Sequence, residues 1–173
     1  MVEQDLALQM DQLVAQLKQV FLKNKKTLAV AESCTGGLLA SSITKEAGVS
    51  AFFLGAVVSY NKSVKNQMLG VDMNSIRVMG EVSEVVAKQM AQGVSRNLAA
   101  DWAVSVTGIA GPDGGRPGKP VGTVCFAVVG PGIVHTTRQH FSGSRLQVQN
   151  QSVIFILRWL LALMKDPNIQ IRK

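Results

Sequence analysis

Apolar residues at Leu6, Leu8, Met10, Leu13, Val14, Leu17, Val20 and Phe21 follow i, i+3, i+4, i+7 spacing, which predicts an amphipathic helix over residues 5–22. Residues 27–31 are a short β-prone run and predict a buried strand. Gly36 and Gly37 follow, and the pattern from 38 to 47 is helical again. The run at 52–60 is apolar but holds Gly55, which restricts the expected strand to 56–60. Asn61 is a good cap for a helix over 62–69, and 74–79 predicts a short helical turn. Ser83 opens a longer helix to 99, with Val86, Met90, Val94 and Leu98 on one face. Residues 102–107 predict a strand. Residues 121–129 and 133–141 predict a strand pair joined by Gly130-Pro131-Gly132. The last helix runs from 145 to 164 and is closed by Asp166-Pro167.

Helices and strands alternate to residue 107, and two strands then follow in succession. That order predicts an α/β fold: a single-domain three-layer α/β/α sandwich with a mixed sheet. Residues 1–165 are expected to form the domain and 166–173 a C-terminal tail that frays from 168 onward. A chain of 173 residues buries roughly 70% of its unfolded surface and needs no metal or disulfide staple. With 47% hydrophobic and 17% charged residues, it is too apolar to be disordered.

Cys34 and Cys125 are isolated, and His135 and His140 lie far from any Cys pair, which argues against zinc and against a disulfide framework. The longest apolar run, 153–164, is interrupted by Arg158 and is too short to cross a bilayer. The N-terminus carries Glu3 and Asp5 and has no basic region of the signal-peptide kind, so a cytoplasmic location is expected. The net charge of +7 favours an anionic partner. Aromatic residues are only 5% and the cations are scattered, so a phosphorylated small molecule is favoured over nucleic acid.

Four segments carry candidate chemistry. Ala31-Glu32-Ser33-Cys34-Thr35-Gly36-Gly37 lies between a strand and a helix, where free N–H groups can hold a phosphate or an oxyanion. Ser33 presents its hydroxyl there. The plainer reading is a helix cap and a tight turn, and Cys34 is a competing nucleophile. The Gly- and Pro-rich stretch 108–120 is longer than a turn requires and predicts a binding loop rather than a surface loop; it matches neither phosphate-loop nor dinucleotide fingerprints. The corner Ser59-Tyr60-Asn61-Lys62-Ser63-Val64-Lys65 offers a base for Ser33, since a desolvated lysine loses its proton more easily; the alternative is a solvated helix lysine. Phe141-Ser142-Gly143-Ser144-Arg145 places Arg145 at a helix start, where it could fork onto an anion or simply face water.

Together these segments resemble the CinA C-terminal-domain family, which includes the PncC-type nicotinamide-nucleotide amidohydrolases. The resemblance is carried by AESCTGG at 31–37, YNKSVK at 60–65, Val82-Ser83-Glu84, TGIAGPDGG at 107–115, KPVGT at 119–123 and the corner at 141–145, and it spans about residues 5–164. It implies a stand-alone domain that hydrolyses the amide of nicotinamide mononucleotide, with no metal or organic cofactor. Ser33 matches the nucleophile, Lys65 its partner lysine, and Tyr60 a helper. The implied substrate-binding residues are Cys34, Thr35, Gly36, Gly37, Thr107, Gly108, Ala110, Gly111 and Arg145. N–H groups of 34–37 or 108–111 are expected to hold the oxyanion, and a helix N-terminus or Arg145 the phosphate.

Two positions depart from the family pattern: Glu81, where a small residue is usual, and Ser144, where an acidic one is usual. Neither is expected to touch the nucleophile or the base; both could alter substrate affinity or mark a member that has drifted from this activity. The alternatives from other classes are a non-catalytic pyridine-nucleotide-binding protein and an interaction module in competence or DNA repair. A homo-oligomer, with a dimer favoured, is expected if the apolar faces of the first and last helices meet a partner; the same faces also suit the core.

Overall fold

The computed structural model describes residues 2–169; the last part of the expected tail, 170–173, lies outside the described residues. The elements are α1 (Val2–Asn24), β1 (Leu28–Glu32), α2 (Leu38–Thr44), a 3-10 turn (Val49–Ala51), β2 (Phe53–Val58) and α3 (Lys62–Leu69). They continue with α4 (Met73–Met79), α5 (Glu84–Leu98), β3 (Trp102–Gly108), β4 (Thr123–Gly130), β5 (Ile133–His140) and α6 (Arg145–Lys165). The five strands form one sheet in the order β2-β1-β3-β4-β5. β1 is parallel to both β2 and β3, while β4 and β5 run antiparallel to their neighbours. The fold is a three-layer α/β/α sandwich with a mixed sheet.

Alternation along the strands sorts side chains by size. Leu28, Val30, Val104, Val106, Phe126 and Val128 face α1, α2 and α6, where Leu17, Phe21, Leu39, Val148 and Leu157 complete the larger core. Ala29, Ala31, Ala103, Cys125 and Ala127 face the other way, toward Ala87, Met90, Ala91 and Val94 of α5. Small residues on both surfaces let α5 lie close to the sheet, and Ser105 Oγ donates to the Ala87 carbonyl at 2.6 Å. Each fully buried Leu, Val or Phe stabilises the fold by about 1.5–3 kcal/mol, so the α1/α6 layer supplies most of the apolar gain. The apolar faces of α1 and α6, read as suiting either a dimer or the core, are in the core.

Several boundaries differ from the sequence expectation. β2 begins at Phe53 and ends at Val58, not at 56 and 60. The ladder pairs Leu28 with Phe53 and Ala29 with Gly55, so Leu54 is skipped and Gly55 takes up the irregularity with φ 146 instead of breaking the strand. The second helix stops at Thr44, short of 47. No helix among the described residues is long and apolar enough to cross a membrane.

β1 lies between its two parallel neighbours. The chain leaves it through α2 toward β2 and returns through α3–α5 to β3 on the other side. A crevice forms outside the carboxyl end of a strand at such a reversal, and Ser33 is the first residue after β1.

Candidate active site

The turn after β1 is held from below by Glu32. Its carboxylate is fully buried and accepts from the N–H groups of Gly37 (3.0 Å), Leu39 (3.1 Å) and Ala40 (2.8 Å). The expectation that this helix N-terminus receives a phosphate is therefore corrected: Glu32 already occupies it. The Gly36 N–H is likewise bound to the Ser33 carbonyl at 3.1 Å, and Gly36 and Gly37 adopt φ 63 and 101 to turn the chain into α2. Among the described residues, the N–H groups of Cys34 and Thr35 bond to no other residue, and the buried Thr35 hydroxyl has no partner.

Lys65 sits on α3, whose first turn is capped by the Asn61 side chain accepting from the Ser63 N–H at 2.9 Å. Its side chain is 1% exposed. The amine lies 3.0 Å from Ser33 Oγ, 2.7 Å from the Ser59 carbonyl oxygen and 3.3 Å from that of Tyr60. An uncharged amine has two N–H donors and one lone pair. With two carbonyls taking the donors, the lone pair is left for the Ser33 hydroxyl. Burial lowers the Lys65 pKa by disfavouring the ammonium, and the Glu81 carboxylate, 3.7 Å away, opposes that shift. Glu81 was expected to stand clear of the base; its carboxylate reaches Lys65 because the turn before α5 folds over the end of β3, where Thr107 Oγ1 donates to the Glu81 carbonyl at 3.0 Å.

Arg145 joins two other candidate segments. It donates to the Gly111 carbonyl at 2.7 Å and to the Tyr60 phenol at 2.9 Å. The Tyr60 ring is exposed, and its phenol is bound to Arg145, while the Tyr60 carbonyl meets the lysine. Ser144 caps α6 in a reciprocal box with Gln147. The Gly-rich loop is pinned at its far end by Lys119, which donates to the Met79 and Val82 carbonyls, both at 2.6 Å.

These segments enclose an open cavity of about 770 Å³. Of the residues predicted from sequence, Ser33, Cys34, Tyr60, Thr107, Gly108 and Arg145 line it. Lys65 is not part of the wall and bonds Ser33 from within the core. Thr35, Gly36, Gly37, Ala110 and Gly111 shape the surrounding turns without forming the wall. The sequence reading missed the α4 side, Met73, Asn74, Ile76 and Arg77; it had named Glu81 and Val82 only as family positions and Arg116 only as part of the 108–120 loop. Only the abundance of cations hinted at that side.

The Cys34 thiol is 5% exposed and is pushed up to about 12 by burial, so it stays protonated near neutral pH and is a poor nucleophile. His135 meets the Pro167 carbonyl at 2.9 Å, and neither histidine lines the cavity.

The chain belongs to the CinA C-terminal domain family, whose model matches residues 10–164. It is 50% identical over 132 residues to the nicotinamide-nucleotide amidohydrolase PncC of Enterobacter agglomerans, an alignment covering 76% of this chain and 80% of that protein. It is 48% identical over 136 residues to a CinA-like protein of Mycolicibacterium gilvum (strain PYR-GCK), covering 78% of this chain and 32% of that protein. The chain thus spans about a third of the length of such CinA-like relatives. Among solved structures, competence damage-inducible protein A (ComA) of Klebsiella pneumoniae subsp. pneumoniae MGH 78578 matches with a TM-score of 0.88 at 33% identity, over 91% of this chain and 98% of that one.

Proposed function

We propose that this chain is a cytoplasmic amidohydrolase that converts nicotinamide mononucleotide and water to nicotinate mononucleotide and ammonia, with Ser33 as nucleophile and Lys65 as base. One observation carries the reading: the buried amine 3.0 Å from Ser33 Oγ, with its other two directions filled by the Ser59 and Tyr60 carbonyls. The half-identical PncC relative supports the substrate.

Lys65 takes the hydroxyl proton as Ser33 Oγ bonds to the carboxamide carbon, and the carbonyl electron pair moves onto oxygen. The free N–H groups of Cys34 and Thr35 lie in the same turn and stabilise that charge. When the carbonyl reforms, the C–N bond breaks and the Lys65 proton leaves with ammonia. A water then gives its proton to Lys65 and attacks the ester carbon; the Oγ–carbon bond breaks and the proton returns to Ser33. The cationic pyridine ring withdraws electrons from the amide carbon and favours both attacks. Ser33→Ala is expected to lower ammonia release from nicotinamide mononucleotide by about a thousandfold or more. Turnover in that variant within tenfold of the parent protein would overturn the assignment.

A further inference from the structure

Of the two places expected for the nucleotide's phosphate, one is taken and the other is partly engaged. Glu32 fills the α2 N-terminus, and two of the Arg145 nitrogens are engaged by Gly111 and Tyr60. The cavity still carries an imbalance of charge. Lys62, Arg77, Arg116 and Arg145 line it, against one carboxylate, Glu81, and that carboxylate is turned to Lys65. Among the described residues, none of the four lining cations has a carboxylate within 4.0 Å.

Arg116 is the most distinctive of them. Its side chain is exposed and makes no hydrogen bond among the described residues, while its backbone is fixed. Its backbone pairs with Lys119 in both directions, at 3.0 and 2.8 Å, and Lys119 is bolted to the Met79 and Val82 carbonyls. The guanidinium rests directly on Gly80, where any Cβ would collide with it, and Gly80 has φ 78. A residue without a side chain thus seats a fork of donors that has no protein partner. Arg77 sits three residues earlier, with one nitrogen on Asn74 Oδ1 at 2.7 Å and the rest of its fork free. Such planar forks match phosphate oxygens in pairs.

We infer that Arg116 and Arg77, with Lys62 lining the same cavity, form a phosphate subsite that makes this chain selective for a mononucleotide over the corresponding nucleoside or the free amide. The substrate in this inference rests on the proposed reaction; the subsite itself does not. The test has two arms. In the first, steady-state ammonia release is measured with nicotinamide mononucleotide and nicotinamide riboside for the parent chain, Arg116→Gln and Arg77→Gln. Each variant is expected to raise KM for the mononucleotide by about ten- to a hundredfold, with kcat within about threefold and riboside turnover unchanged. In the second, binding of ribose 5-phosphate is measured by calorimetry. The parent chain binds it, and Arg116→Gln weakens it by about tenfold or more.

Arginine-dependent ribose 5-phosphate binding in a chain that releases no ammonia would keep the subsite and remove the amidase reading. Equal losses on nucleotide and nucleoside, or ribose 5-phosphate binding indifferent to both arginines, would overturn the subsite.

Discussion

At the inner end of the cavity Lys65 is 1% exposed, and its amine meets two carbonyls and one hydroxyl. Along the wall, Lys62, Arg77 and Arg116 are exposed and, among the described residues, have no carboxylate within 4.0 Å. Lys62 and Lys65 lie within one turn of the same helix. Their difference teaches that the environment, and not the residue type, sets the chemistry. Desolvation lowers the pKa of the buried amine and favours its uncharged form, the form the proposed base needs, whereas the other amine lies on the exposed wall of the cavity.

The comparison breaks most sharply by exchanging charge for apolar volume in each place. Lys65→Met is expected to lower kcat by about a hundredfold to ten-thousandfold with little change in KM, as loss of a general base does. Lys62→Met should leave kcat near the parent value and raise KM by only about twofold to fivefold, the scale of an exposed charge contact. Steady-state rates on nicotinamide mononucleotide decide between them, and equal effects would erase the distinction.

A second test uses pH. Because burial lowers the Lys65 pKa, its neutral form, and with it the rate, should grow as pH rises through that lowered value. Between that value and the ordinary lysine range, the unfolded chain holds the proton and the folded chain does not. Folding stability therefore also rises with pH across this window, and urea melts of the parent chain, but not of Lys65→Met, should show it. Glu81 opposes the shift, so Glu81→Gln should move the acid limb of kcat/KM to lower pH. An unmoved or alkaline-shifted limb would show that Glu81 does not act on Lys65.

The smallest effect is expected at Cys34. The thiol is buried and protonated, and the proposed chemistry uses its backbone N–H, so Cys34→Ala should keep kcat/KM within about fivefold. A collapse of turnover in a chain that still folds, measured by circular dichroism, would return the thiol to the mechanism.

Much of this was legible in the sequence, for identifiable reasons. The helix periods, the caps at Asn61 and Ser83, and the Pro131-Gly132 turn are local signals and were readable as such. Ser33 and Lys65 were readable through family resemblance; nothing local says that a lysine 32 residues away turns inward. Glu81 beside Lys65 and Arg116 on Gly80 depend on how the β3–β4 loop folds over the α4–α5 turn, which no short-range pattern encodes. Glu32 was hidden for a different reason: its partners lie five to eight residues on, beyond the reach of an ordinary cap.

Glu32 has a consequence for the time the site spends open. First-turn amides of a helix normally face water and trade their hydrogens for deuterium quickly. Here Gly37, Leu39 and Ala40 are tied to a carboxylate buried at the carboxyl end of the inner strand β1. They should exchange at the pace of the central strands, so the segment carrying the nucleophile comes apart only when the domain itself does.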